Sequence, residues 1–212
     1  GCQWRLLPKS FPPWKTVHDR FRKWCRDGTW QLLNDALRSV VRCEEDKKHA
    51  PSAAVLDSQT VRSDGHGGAV GYDAGKKTKG RKRFILVDTL GMLLGVAIAP
   101  ADTPERAGAR VLLEAVLPQV ASLRTLWVDG GYSGPEFATW VRERAPRLGV
   151  EVIKRTDDAH GFQVLPKRWV VERTFGWVMR HRRLVRDYER TESSAGGWLF
   201  VALIRIMLGR LA

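Results

Sequence analysis

Three acids stand at positions where an acid is costly unless something binds it. Asp57 closes the apolar run AAVLD, Asp129 closes LWVD, and Glu172 lies among bulky apolar residues in RWVVERTFGW. A buried carboxylate is expensive unless it is paired, hydrogen-bonded or bound to a metal. Carboxylates gathered in one cleft repel one another, and their pKa values rise unless a cation joins them. Hard divalent ions take such oxygen ligands, and Mg²⁺ keeps waters and phosphates for the rest of its shell. Two ions about 4 Å apart serve both the attacking and the leaving oxygen of a phosphoryl transfer. Taken singly, each Asp has a plainer reading as a turn or helix cap. Asp88 in FILVDTLG, and Asp64 and Asp73 in a glycine-rich stretch, read in that plainer way.

The three acids meet only if the elements carrying them are neighbours. AAVLDSQTV (53–61) is a strand candidate, and RFILVDTLGMLLGVAIAP (83–100) reads as two strands around a Thr-Leu-Gly turn. PERAGARVLLEAVLPQV (104–120) has helical periodicity, TLWVDGG is a fourth strand, and PEFATWVRERA (135–145) opens a helix with Pro. VEVIKR (150–155) is a fifth strand, and 167–191 reads as one long helix. Three strands with a hairpin, then alternating units, predict an α/β fold with a mixed five-stranded sheet and helices on both faces. That order fits a ribonuclease H-like fold better than a dinucleotide-binding one, since no GxGxxG follows the first strand. First and fourth strands lying side by side would bring Asp57 next to Asp129. Ahead of the sheet, WKTVHDRFRKWCRDGTWQLLNDALRSVV predicts two helices broken at Asp27-Gly28. The expected division is a small helical segment over 1–50 and the α/β domain over 51–212.

The chain has 212 residues, 36 Lys and Arg against 23 Asp and Glu, and a net charge of +13. A surface this basic points to a polyanion, of which nucleic acid is the commonest. Cys2, Cys25 and Cys43 show no CxxC and no zinc-finger spacing, so they read as free thiols. No uninterrupted apolar run reaches 18 residues and no signal peptide is visible, so no membrane partner is expected. The terminal WLFVALIRIMLGRLA reads as an amphipathic helix packed on the domain. The chain begins at Gly1 in sequence that already looks structured, as a fragment of a longer protein would.

Basic segments surround the acids. Six of the eight residues of KKTKGRKR (76–83) are basic, so Lys76, Lys77, Lys79, Arg81 and Lys82 are candidate phosphate contacts on an expected loop. Arg168 and Glu172, four apart, share a helix face, and Arg183 returns to it eleven residues later. Residues 167–190 hold eight Lys and Arg against three acids, which suits a helix laid along a DNA backbone. Tyr132, after two glycines, and Trp177 are candidates to stack on an unpaired base, with core packing the rival role.

Four blocks, LDSQTVRSD, GYDAGKKTKGRKRFILVDTLGMLLG, LWVDGGYSG and KRWVVERTFGWVMRHRRLVRDYER, resemble the bacterial insertion-sequence transposases of family five. The N-terminal GCQWRLLPKSFPPWKTVHDRFRKWCRDGTW is similar to the region preceding that family's catalytic domain, with the family's first helices missing. The resemblance implies a DDE-type, ribonuclease H-like enzyme in which Asp57, Asp129 and Glu172 bind two Mg²⁺, or Mn²⁺, ions. It implies hydrolysis at the element's ends and strand transfer into target DNA. The partners would be double-stranded DNA, at terminal inverted repeats and target site, and a second copy of the chain; the compartment would be the bacterial cytoplasm and its nucleoid. In the family's signature around the Glu, Arg168 and Glu172 match, whereas Leu165 replaces Tyr and Met179 replaces Lys; Arg180 and Arg183 are the candidates for the missing cation. A nuclease of the same fold, or a remnant that binds DNA without cutting it, are the alternatives.

Overall fold

The computed structural model describes residues 3–65, 68–153 and 167–212. Two helices, α1 (Trp14–Arg26) and α2 (Thr29–Glu44), come first. Gly28 between them has φ +78°, a left-handed turn that glycine enters without steric cost. Then follow β1 (Ala53–Arg62), β2 (Gly71–Asp73), β3 (Thr78–Asp88) and β4 (Leu93–Pro100). Helix α3 (Glu105–Val116), β5 (Thr125–Val128), α4 (Pro135–Arg144) and β6 (Gly149–Val152) continue the chain. Helices α5 (Trp169–Met179) and α6 (Glu192–Leu211) complete it.

The sheet runs β2-β3-β1-β5-β6, with β4 also paired to β3. β1, β3 and β4 are antiparallel neighbours, while β5 lies parallel to both β1 and β6. The mixed sheet expected from the sequence is present, with six described strands rather than five. The extra one is short β2, which pairs with the start of β3 inside the segment expected to be a loop. The last two positions of the expected fifth strand, 154–155, and Leu165 lie outside the described residues.

Strand alternation builds a core on each face of the sheet. Ala54, Leu56, Phe84 and Leu86 pack with Leu112 and Leu113 of α3 and with Phe137 and Val141 of α4. Val55, Ile85 and Val87 face the other way, onto Val171, Phe175 and Val178 of α5 and Leu199 and Leu203 of α6. Helix α3 comes so close that a Cβ on Gly108 would lie 2.1 Å from the Phe84 ring. By length and composition alone α6 could cross a membrane, but half of its apolar window is buried in this fold. Leu199 and Leu203 press on the sheet and Met207 on Val41 of α2, as expected of the C-terminal segment.

The long helix expected over 167–191 is broken. It ends at Met179, and residues 180–190 fold back onto β3 and the end of β1, where Asp187 bridges to Ser63. Buried Leu184 and Asp187 cause the break: Arg83 donates to the Leu184 carbonyl at 2.8 Å, and Arg81 pairs with Asp187. Tertiary anchoring overrides helix propensity here. Asp88 is wholly structural, as expected. Its Oδ1 accepts from the amides of Leu90 and Met92 in the hairpin turn, and Oδ2 meets Arg42 of α2 at 2.6 Å.

Candidate active site

The register of β1 and β5 decides whether two of the acids meet. Val55 pairs with Trp127, so two residues further on each strand Asp57 and Asp129 stand level. Asp129 is still in extended conformation (φ −85°, ψ −179°), so the alternation carries through it. Both odd-numbered acids therefore face the side covered by α5. Each has one oxygen held by a nearby amide: Asp57 Oδ1 accepts from Ser58 N at 2.7 Å, and Asp129 Oδ1 from Gly131 N at 2.8 Å.

Glu172 approaches from above, in the first turn of α5. One nitrogen, Arg168 Nη2, lies 3.6 Å from Asp57 Oδ2 and 3.3 Å from Glu172 Oε1. The two carboxylates are thus no further apart than those contacts laid end to end. Asp57 is the buried member, its side chain only 15% exposed, while Glu172 is 47% exposed. Burial pushes the Asp57 carboxyl up to about 6, with Asp129 and Glu105 adding to it against the Ser58 amide and Arg168. A desolvated acid beside two others is the electrostatic state that a cation relieves.

The donor set fits a hard divalent ion, since every candidate ligand is a carboxylate oxygen. Among the described residues no three such side chains form a ready-made cage. Asp57 and Asp129 are aligned by the sheet, and half-exposed Glu172 is the one with room to turn.

The candidate DNA contacts divide sharply. Lys76, Lys77 and Lys79 are exposed around the β2–β3 turn, where Asp73 accepts from the Lys76 amide, and Arg180 is exposed just past α5. Arg81 and Lys82 are not surface cations but buried strand residues, 1% and 6% exposed. Arg81 binds Asp187 and the carbonyls of Ala69, Glu189 and Arg190; Lys82 binds Glu105 and the Thr103 carbonyl. Arg183 lies beyond the helix that was to carry it back to the Glu172 face, and its Nε donates to Glu189 at 2.9 Å. Tyr132 offers no stacking face, being 1% exposed and packed against Phe137. Trp177 takes the core role, beside Met92 and Met207 with the Arg173 and Arg210 guanidiniums over its ring.

Glu105 is a functional candidate that the sequence did not single out. It stands at the start of α3 and bonds Ser58, Tyr132 and Lys82. Its only trace in the sequence is an acid in a helix's first turn, where acids are common for dipole reasons.

A mixed sheet in this order, with acids ending adjacent parallel strands and a third on the covering helix, defines the ribonuclease H-like class of carboxylate-bearing domains. Residues 48–207 match the family described as "Transposase DDE domain", and the chain belongs to that family. Residues 1–34 match a second one, "Putative transposase of IS4/5 family". The chain is similar to the "Putative transposase for insertion sequence element IS402" of Burkholderia cepacia, 30% identical over 129 residues. That match covers 57% of this chain and 59% of the relative, so the chain matches only part of that relative's length. Among solved structures, a chain from the simian T-cell lymphotropic virus intasome in complex with PP2A regulatory subunit B56 gamma aligns with TM-score 0.42 and 16% identity, over 73% of this chain and 48% of that one.

Proposed function

We propose that this chain is the catalytic part of a DNA transposase. In this reading it hydrolyses a phosphodiester at the end of a mobile element. The freed 3′-hydroxyl then attacks a phosphorus of target DNA, forming a new phosphodiester and releasing the target strand's 3′-oxygen as a hydroxyl. The observation that carries it is the alignment of Asp57 and Asp129 on neighbouring parallel strands, with Glu172 tied to Asp57 through Arg168. A pair of Mg²⁺ or Mn²⁺ ions would supply the activated water and the charge stabilisation for both oxygens.

The chain's own residues do the rest. Amides hold one oxygen of Asp57 and of Asp129; the second oxygen of Asp57, now 3.6 Å from Arg168, and that of Asp129 would do the ligating. Glu172 completes the set by turning away from Arg168, and the guanidinium so released is suited to a substrate phosphate. Lys76, Lys77, Lys79 and Arg180 hold the DNA backbone, which sets register without reading sequence. No covalent protein–DNA intermediate is required, so Ser58, Ser133 and Tyr132 act as no nucleophile. The partners are double-stranded DNA, at inverted repeats and target, and a second copy of the chain when DNA is bound, in the cytoplasm of a bacterium. Residues 51–212 form the catalytic domain, and 1–50 a helical segment docked on it.

Nicking of supercoiled plasmid in Mg²⁺ tests the reading. The parent should nick, and Asp129→Asn should not. Equal nicking by both contradicts the triad, and binding without nicking by the parent favours a DNA-holding remnant. Strand transfer of the element's own terminal repeats separates a transposase from a nuclease.

A further inference from the structure

Ladder pairing between β1 and β5 stops at Val55 and Trp127, two residues short of the acids. Asp57 is still held by β3 and Val128 by β6, but no direct β1–β5 ladder contact sets the spacing of the two acids. On the face of the sheet opposite α5, Glu105 spans that gap. Its Oε2 accepts from Ser58 Oγ at 2.7 Å and from Tyr132 Oη at 3.2 Å. Ser58 follows Asp57 directly, and Tyr132 lies three residues after Asp129, on the turn whose amide holds that acid. Alternation explains the geometry: Asp57 faces α5, so Ser58 must face α3. Lys82, reaching the same side from β3, donates to Glu105 Oε1 at 3.1 Å and balances its charge. Tyr132 is locked in turn, 1% exposed and packed on Phe137.

We propose that Glu105 is a positioning residue for the metal-binding acids, a clamp that sets the separation of Asp57 and Asp129 from behind the sheet. It touches neither DNA nor ion. The proposal rests on Asp57 and Asp129 being metal ligands. Partners that orient metal ligands typically influence affinity 10–100-fold.

The test is calorimetric titration of the 212-residue chain with Mn²⁺, with thermal unfolding followed in chelator. Glu105→Ala should weaken Mn²⁺ binding about 10–100-fold. It also leaves buried Lys82 without its carboxylate, so the metal-free melting temperature should fall, and affinity is compared at a temperature where the variant is still folded. Glu105→Gln keeps an acceptor for Ser58 and Tyr132 and should restore most of the affinity. Ser58→Ala with Tyr132→Phe removes the same bonds from the other side, and should add no further loss to Glu105→Ala. If Glu105→Ala does not fold, that double variant decides: weakened Mn²⁺ binding supports the clamp, and parental affinity overturns it. A folded Glu105→Ala with parental affinity also overturns it. Asp57→Asn and Asp129→Asn are the reference. If they bind Mn²⁺ as the parent does, the ligand assignment fails and the clamp with it; if they lose binding and Glu105→Ala does not, only the clamp fails.

Discussion

Asp57 is held at a cost to the fold. Its carboxylate is largely buried, and Asp129 and Glu105 oppose its charge. Asp57→Asn should therefore abolish nicking while stabilising the metal-free chain by up to about 3 kcal/mol at pH 7, the worth of a carboxyl lifted from 3.8 to about 6. Unfolding in urea with chelator measures it, and a destabilised variant would mean that the charge is already well satisfied. At this scale the sequence was legible where an acid ended an apolar run, because that placement is itself a physical oddity. It was illegible for Tyr132 and Glu105. Two glycines before a Tyr suggest exposure, but a hydroxyl reaching a carboxylate on another element lets the ring be buried. Arg81 and Lys82 deceived in the same way, since a basic run looks like a solvated loop unless buried acids elsewhere answer it.

Elements were easier to foresee than their ends. The hairpin of β3 and β4 and the break at Gly28 followed from alternation and turn chemistry, which are local, whereas the parallel pairing of β1 and β5 was a condition that only the tertiary fold could meet. The end of α5 did not, because it is set by Arg83 and Arg81 across the sheet. Two predictions belong here. Arg42 of α2 and Asp88 of the hairpin form a pair buried on both sides, with side chains 5% and 0% exposed. Arg42→Ala leaves Asp88 charged and buried, and should cost about 3–5 kcal/mol in denaturant unfolding. Asp27, between α1 and α2, is lowered to about 2 by Lys23 first and then by the Thr29 hydroxyl and amide. Its folded value lies below its unfolded one, so its contribution is complete above about pH 4 and fades as pH falls through 2. Asp27→Asn should flatten the stability–pH curve in that window and nowhere else.

Across the whole molecule, a net charge of +13 argues for a polyanion, but burial decides which cations can meet it. Lys76, Lys77 and Lys79 are exposed, whereas Arg81, Lys82 and Arg83 hold the fold together. Replacing the three exposed lysines with Ala should lower the log–log salt slope of DNA binding by up to about 3, near 0.9 for each phosphate no longer neutralised. Replacing Arg81 should instead unfold the 184–190 crossing; an unchanged slope in the triple variant would move the DNA track elsewhere. The claim beneath all of this is that acids from β1, β5 and α5 share a metal. A crystal structure of the chain soaked in Mn²⁺, read by anomalous scattering, tests it most directly. The account predicts ions about 2 Å from carboxylate oxygens of Asp57, Asp129 and Glu172, with Arg168 displaced from Glu172. Glu172 still on Arg168, and Mn²⁺ bound away from both aspartates, would contradict it.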